Sequence, residues 1–138
     1  MSSLNVILVD DEEFLRDVIE EGLVELFGCT VRSAPDGATG LKCLREGGAD
    51  VLLLDLLMPG LNGFDVLEQL QTGEDTANRP GIVVVMSGLT DRSTMQTLRN
   101  FGVDAILPKP FSFKELRAVM RLGEPREYGE GRLATQSA

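Results

Sequence analysis

Three uninterrupted apolar runs constrain this chain more than any other feature: Val6–Val9, Val51–Leu54 and Ile82–Met86. A strand with one face in water alternates apolar and polar residues, and these runs have no polar face to offer. They suit strands covered on both sides, hence a parallel sheet between two layers of helix. Two shorter stretches, Thr30–Ala34 and Ala105–Leu107, complete a set of five. No purely apolar run exceeds five residues, far short of the roughly 20 that span a bilayer, so no membrane segment is expected. Met1–Asn5 has no basic stretch leading into an apolar one, so no signal peptide is expected either.

Helical patterns separate the strands. Phe14, Leu15, Val18, Ile19, Leu23, Leu26 and Phe27 follow the 3.6-residue period, and Gly28 is placed to end that helix. Asp36 is a cap for a second helix that should bury Ala38, Leu41 and Leu44 before Gly47–Gly48. A third carries Val66, Leu67 and Leu70. A fourth begins near Thr90, should bury Met95, Leu98 and Phe101, and closes at Gly102. Ser112 and Glu115 form a capping box for a fifth, with Phe111 and Leu116 placed as a hydrophobic staple and Gly123 as a stop. Five strand–helix units in succession predict an α/β fold of three layers, its crossovers right-handed. Thr72–Gly81 reads as a long polar loop, and 124–138 as a polar tail or linker after a domain spanning 4–123.

In an open parallel sheet, ligands bind beyond the carboxyl ends of the strands. The first strand delivers Asp10 and Asp11 there, the third Asp55, the fourth Ser87 and the fifth Lys109. Crowded carboxylates repel, and a hard divalent cation holds them ionised; Mg2+ fits best, since it takes few protein ligands and bridges to phosphate oxygens. A carboxylate beside such a metal can be a nucleophile toward phosphorus. Lys109 and Ser87 then supply the positive charge and the donor that a phosphoryl group needs. Taken singly, each residue has a plainer role: an aspartate ending a strand is commonly a helix cap, and Asp10 and Asp11 would also complement the dipole of the helix that follows. Four strands delivering the needed group at one end is what favours chemistry.

Composition narrows the reaction. The chain has no histidine, which removes imidazole triads, Cys–His nucleophiles and the usual zinc-hydrolase ligand sets. Its net charge of -9 argues against nucleic acid or an anionic membrane as partner. That charge is polarised. Asp10–Glu25 holds eight acidic residues and one arginine, while Gly88–Gly123 holds six basic and three acidic. Cys29 and Cys43 form no C-x-x-C pair, so reduced thiols in a cytoplasmic protein are expected.

The set Val9-Asp10-Asp11, Asp55-Leu-Leu-Met-Pro59 with Gly63, Met86-Ser87-Gly88 and Lys109-Pro110-Phe111 resembles the receiver domain of two-component response regulators, over Leu4–Leu122. The resemblance implies a five-stranded sheet of order 2-1-3-4-5. It implies Asp55 as phosphoacceptor, Asp10 and Asp11 as the Mg2+ pair with Asp11 the more direct ligand, and the backbone carbonyl of Leu57 completing the metal site. Ser87 matches the hydroxyl that moves onto the phosphoryl group, Lys109 the family's lysine, and the Lys109–Pro110 bond should be cis. The implied partners are a histidine kinase or histidine phosphotransfer protein, whose phosphohistidine this chain itself lacks, and a downstream protein or dimer partner.

Two positions depart from the family pattern. Ile106 stands where relatives often carry an aromatic switch residue; an aliphatic side chain cannot make that ring flip, so switching must run through the loop and the fourth helix. Pro108 stiffens the approach to Lys109. Leu57 and Leu89 stand where many relatives are polar, and are expected to exclude water from the phosphorylated site.

The sequence therefore reads as a phosphorylation-activated receiver, not a turnover enzyme. A kinase or phosphotransfer protein is expected to dock on the acidic first-helix face around Glu20 and Glu21, and the output partner on the mildly basic face. Competing readings are a receiver belonging to a longer transcriptional regulator, with the stand-alone form modestly favoured, and an aspartyl-phosphate phosphatase. The phosphatase is disfavoured because Leu57 stands where a second acid is required. A dinucleotide binder lacks its G-x-G-x-x-G after the first strand. A docking module that has lost phosphorylation would not need the intact five-residue set.

Overall fold

The computed structural model describes residues 3–73 and 79–124. Of the long polar loop, 74–78 lies outside the described residues, as does 125–138 of the expected tail. The elements are β1 (Asn5–Val9), α1 (Glu13–Phe27), β2 (Thr30–Ala34), α2 (Gly37–Gly47), β3 (Val51–Asp55), α3 (Gly63–Thr72), β4 (Ile82–Ser87), α4 (Arg92–Asn100), β5 (Ala105–Pro108) and α5 (Phe113–Met120), with a 3-10 turn at Arg121–Gly123. All pairings are parallel and the strand order is β2-β1-β3-β4-β5, as expected. No helix among the described residues is long and apolar enough to cross a membrane.

The unbroken apolar runs have the predicted cause. Alternate residues of each central strand feed two separate cores. Ile7, Val9, Leu52, Leu54 and Val85 meet Leu41 and Leu44 of α2, Val66 and Leu67 of α3, and Leu98 of α4. Val6, Leu8, Val51, Leu53, Val84 and Met86 meet Ile19 and Leu23 of α1 and Leu116 and Met120 of α5. With both faces covered, every residue of β3 is buried, and each buried Leu or Val contributes about 1.5–3 kcal/mol.

Helix ends follow their local chemistry. Gly28 takes the left-handed conformation (φ 69°) and its N–H closes α1 onto Leu23 and Val24 carbonyls. Asp36 caps α2 through Thr39 N–H at 2.7 Å, and Ser112 and Glu115 form the expected box on α5. A second capping box, Asn62 with Asp65, starts α3 and was not anticipated.

The helical periods locate each stripe but misjudge its depth. Ala38 is exposed, and α2 instead turns Gly37 and Gly40 inward. A Cβ on Gly40 would lie 2.6 Å from Val9 Cγ2, so the missing side chain is what lets α2 approach the sheet. Phe14 (78% exposed) and Leu26 lie on the outer flank of α1. In α4 only Leu98 is fully buried; Met95, and Phe101 at its C-cap, are half-buried.

The amino end of the sheet is closed by side chains. Asp50 N–H donates to the Asn5 carbonyl while Asn5 N–H donates back to Asp50 Oδ2, both at 2.8 Å. Asp104 and Val83 repeat the exchange at 2.9 and 2.8 Å. Arg32 reaches from β2 to the Cys43 carbonyl (2.9 Å), the Gly48 carbonyl and Asn5 Oδ1, tying down the end of α2. Both cysteines are free, and burial pushes the Cys29 thiol up.

Candidate phosphoacceptor site

Register brings the acidic residues together. Val9 pairs with Leu54, so Asp10 and Asp55, the next residue of each strand, emerge side by side. Asp55 pairs with Met86 and Ser87 with Pro108, which sets Ser87 and Lys109 on the same rim. The ladder continues past the strands through Asp10 N–H to Ala34 O (3.1 Å), Leu56 N–H to Met86 O (3.0 Å) and Lys109 N–H to Ser87 O (2.8 Å). The rim is thus built on hydrogen-bonded backbone and not on free loops. A Cβ on Gly63 would lie 2.7 Å from the Asp55 carbonyl and Leu56 Cα, so only glycine lets α3 start this close to the Asp55–Leu56 segment.

Asp10 is fully buried and Asp55 nearly so, while Asp11 is exposed. One carboxylate oxygen from each of the three lies within 4.8 Å of the others. Lys109 Nζ donates to Asp55 Oδ1 at 3.0 Å and to Asp10 Oδ2 at 3.3 Å; the Lys109–Pro110 bond is cis. Three carboxylates against one ammonium leave a formal deficit of two positive charges, in oxygen-donor chemistry suited to a hard divalent cation. The residues present fit Mg2+ on that count.

Burial raises the Asp55 carboxyl to about 6; the Lys109 hydrogen bond opposes this, and the charge of Asp10 adds to it. Burial alone would lower Lys109, yet its hydrogen bond to Asp55 and the charges of Asp55 and Asp10 hold it above its ordinary value.

Ser87 is at the rim but not in the cluster. Its Oγ donates to the Leu89 carbonyl (2.8 Å) and accepts from Leu89 N–H (2.9 Å), so the hydroxyl is turned into the β4–α4 loop. Ile106 pairs with Val85 and is half-buried against the core under α2–α4. Leu57 and Leu89, two residues beyond Asp55 and Ser87, are 53% and 39% exposed. On α1, Glu21 is exposed, while Glu20 is half-buried and accepts a hydrogen bond from Ser33 Oγ.

One residue at the site escaped sequence reasoning. Arg16 Nη1 donates to the Asp10 backbone carbonyl at 2.7 Å. Its sequence signal is faint: it is the lone basic residue between Asp10 and Glu25.

The family model of the response regulator receiver domain matches residues 6–121. The chain is 34% identical over 120 residues to the response regulator MprA of Mycobacterium ulcerans, covering 86% of this chain and 49% of that protein. It spans about half the length of the curated relatives it matches. The receiver domain of the Francisella response regulator 1452 superposes with a TM-score of 0.76 at 27% identity, covering 88% of this chain and 96% of that one. The receiver domain of the sensor histidine kinase PA1611 from Pseudomonas aeruginosa PAO1, solved with a magnesium ion in its active-site cleft, shares the fold. It has a TM-score of 0.76 and 21% identity, covering 88% of this chain and 97% of that one.

Proposed function

The chain belongs to the response regulator receiver family of two-component signalling, and on that premise we propose that it is a phosphorylation-activated switch with Asp55 as its phosphoacceptor. The observation that carries this reading is the contact set at the sheet's carboxyl end: Asp55 bonded to Lys109, Asp10 on the same ammonium, and Asp11 within reach of both.

The phosphoryl donor is a phosphohistidine on a histidine kinase or phosphotransfer protein. An Asp55 carboxylate oxygen attacks phosphorus; the P–O bond forms as the P–N bond breaks, and the imidazole leaves with the electron pair. Asp10, Asp11, Asp55 and the Leu57 backbone carbonyl would hold Mg2+, which supplies positive charge against the carboxylate and phosphoryl oxygens. Lys109, already on Asp55 Oδ1, pairs with a phosphoryl oxygen. Ser87 releases Leu89 and turns its hydroxyl to the same group, so the β4–α4 loop and α4 move with it. With Ile106 in β5, this route through the loop replaces an aromatic flip.

Leu57 and Leu89, two residues beyond Asp55 and Ser87, are apolar and exposed. Their role is to keep the attacking water from the aspartyl phosphate and lengthen its life. The module acts as an acceptor and not as a turnover enzyme, in the cytoplasm. Its acidic α1 face, Glu21 foremost, meets the phosphoryl donor, and the basic α4–β5–α5 side meets a downstream protein or a second receiver. Curated relatives twice as long favour a second reading of the output, in which this receiver regulates a further domain. The test of the core reading is phosphoryl incorporation from acetyl phosphate. Asp55→Asn is expected to abolish it, and full labelling of that variant would overturn the assignment.

A further inference from the structure

Asp11 is the exposed carboxylate of the cluster, and among the described residues its side chain makes no hydrogen bond or ion pair. Nothing it touches aims it. Its direction is set by the two peptide planes that flank its Cα, because φ and ψ of Asp11 fix the Cα–Cβ bond. Each of those planes is pinned by one side chain. The Asp10–Asp11 peptide is held at its carbonyl by Arg16 Nη1 at 2.7 Å. The Asp11–Glu12 peptide is held at its N–H by Asp10 Oδ1 at 2.9 Å. The second clamp is itself fixed, since the other oxygen of Asp10 accepts from Lys109. The first rests on Arg16 alone.

Arg16 has ordinary alternatives. Glu12 and Glu20 stand four residues to either side and Glu13 three residues before it, the spacings at which helix-surface ion pairs form. Among the described residues, Arg16 makes no ion pair. The lone cation of an acidic segment is committed instead to a neutral carbonyl at the end of β1. The start of α1 has no side-chain cap from Glu12, so it is held by Arg16 on the Asp10 carbonyl and by Asp10 Oδ1 on the Glu12 N–H.

We propose that Arg16 is a positioning residue for the metal-binding carboxylate of Asp11, acting through the Asp10 carbonyl. The inference rests on the reading that the acidic cluster takes Mg2+. Partners one step removed from a metal typically change its affinity 10- to 100-fold when removed. Arg16 acts through backbone, so about the lower figure applies.

The test is an amide chemical-shift titration of the chain with MgCl2, for the parent protein, Arg16→Ala, Asp11→Ala and the double variant. Arg16→Ala is expected to weaken Mg2+ binding about tenfold, with the thermal midpoint in EDTA little changed. The double variant should bind no worse than Asp11→Ala alone, because Arg16 works only through Asp11. Unchanged affinity in Arg16→Ala overturns the proposal. So does tighter binding, which is what losing a nearby cation alone produces, and so does an effect that adds to that of Asp11→Ala. If Arg16→Ala does not fold, Arg16→Gln takes its place. A parent protein that binds no Mg2+ sinks the metal reading itself. A parent that binds, with Asp11→Ala impaired and Arg16→Ala not, sinks only the role of Arg16.

Discussion

At the amino end of the sheet, Asp50 and Asp104 each face a neighbouring strand's first amides and close the ladder there, one carboxylate to one N–H. At the carboxyl end, Asp10, Asp11 and Asp55 bring carboxylate oxygens within 4.8 Å of one another, and the Lys109 ammonium bonds two of them, Asp10 and Asp55. The bases divide the same way. Arg32 spreads over two carbonyls and an amide oxygen, whereas Lys109 is held by two carboxylates. The same residue types thus build structure at one end, where Asp50 and Asp104 each find a neutral donor. At the other end the acids of the cluster outnumber the ammonium beside them.

Mutations at the two ends should therefore separate cleanly. The largest contrast is in phosphoryl incorporation. Asp55→Asn is expected to lose at least about 100-fold, equivalent to about 2.7 kcal/mol, while Asp50→Asn and Asp104→Asn stay within about twofold. Comparable losses at Asp104 would erase the distinction between the ends.

Next comes stability. Arg32→Ala leaves two carbonyls at the end of α2 without their donor, and about 2–3 kcal/mol of unfolding free energy should disappear in a urea titration. Labelling of Asp55 by acetyl phosphate, measured below the new midpoint, should not change.

The third effect has the opposite sign. The folded value of Asp55, about 6, lies above its ordinary 3.8. Between those two pH values the folded state keeps a proton that the unfolded state releases, so stability falls as pH rises through that window. At neutral pH the charge costs the fold, and Asp55→Asn in EDTA should be about 1–2 kcal/mol more stable at pH 7. That gain should fade toward zero by about pH 3, where both states are mainly protonated; a gain that persisted there would trace to packing and not to charge.

The smallest expected effect concerns lifetime. Leu57→Asn with Leu89→Glu should speed loss of the phosphoryl group about fivefold, roughly 1 kcal/mol of barrier. An unchanged dephosphorylation rate would mean that these leucines do not exclude water.

The carboxyl end was far more legible in the sequence than the amino end, for a physical reason. A strand that must be buried on both faces stops where polarity begins, so Asp10, Asp55, Ser87 and Lys109 are marked by their own position in the chain. Parallel register then aligns them without further information. Caps read equally well where the signal is local, as at Asp36 and Ser112. Arg32 is different: its partners lie 11 to 27 residues away and are backbone carbonyls or an amide oxygen, so no pattern of side chains announces it. The depth of a helical stripe is similarly hidden. Whether Ala38 or Gly40 faces the sheet depends on how closely two backbones approach, and that distance is set by Val9 on another element.

The shallow seat of α4 has a consequence in populations. One side chain, Leu98, is fully buried there, and withdrawing it costs about 2–3 kcal/mol. Before any phosphoryl group arrives, that alone holds a displaced α4 to about one molecule in a hundred, the range in which a minor state can be recruited. In the proposed mechanism, the charge-assisted hydrogen bonds that Ser87 and Lys109 would make to a phosphoryl group are of the same order. A helix seated like α1, with both Ile19 and Leu23 buried, would need about twice as much. The single leucine keeps the resting state dominant and leaves it within reach of one chemical event.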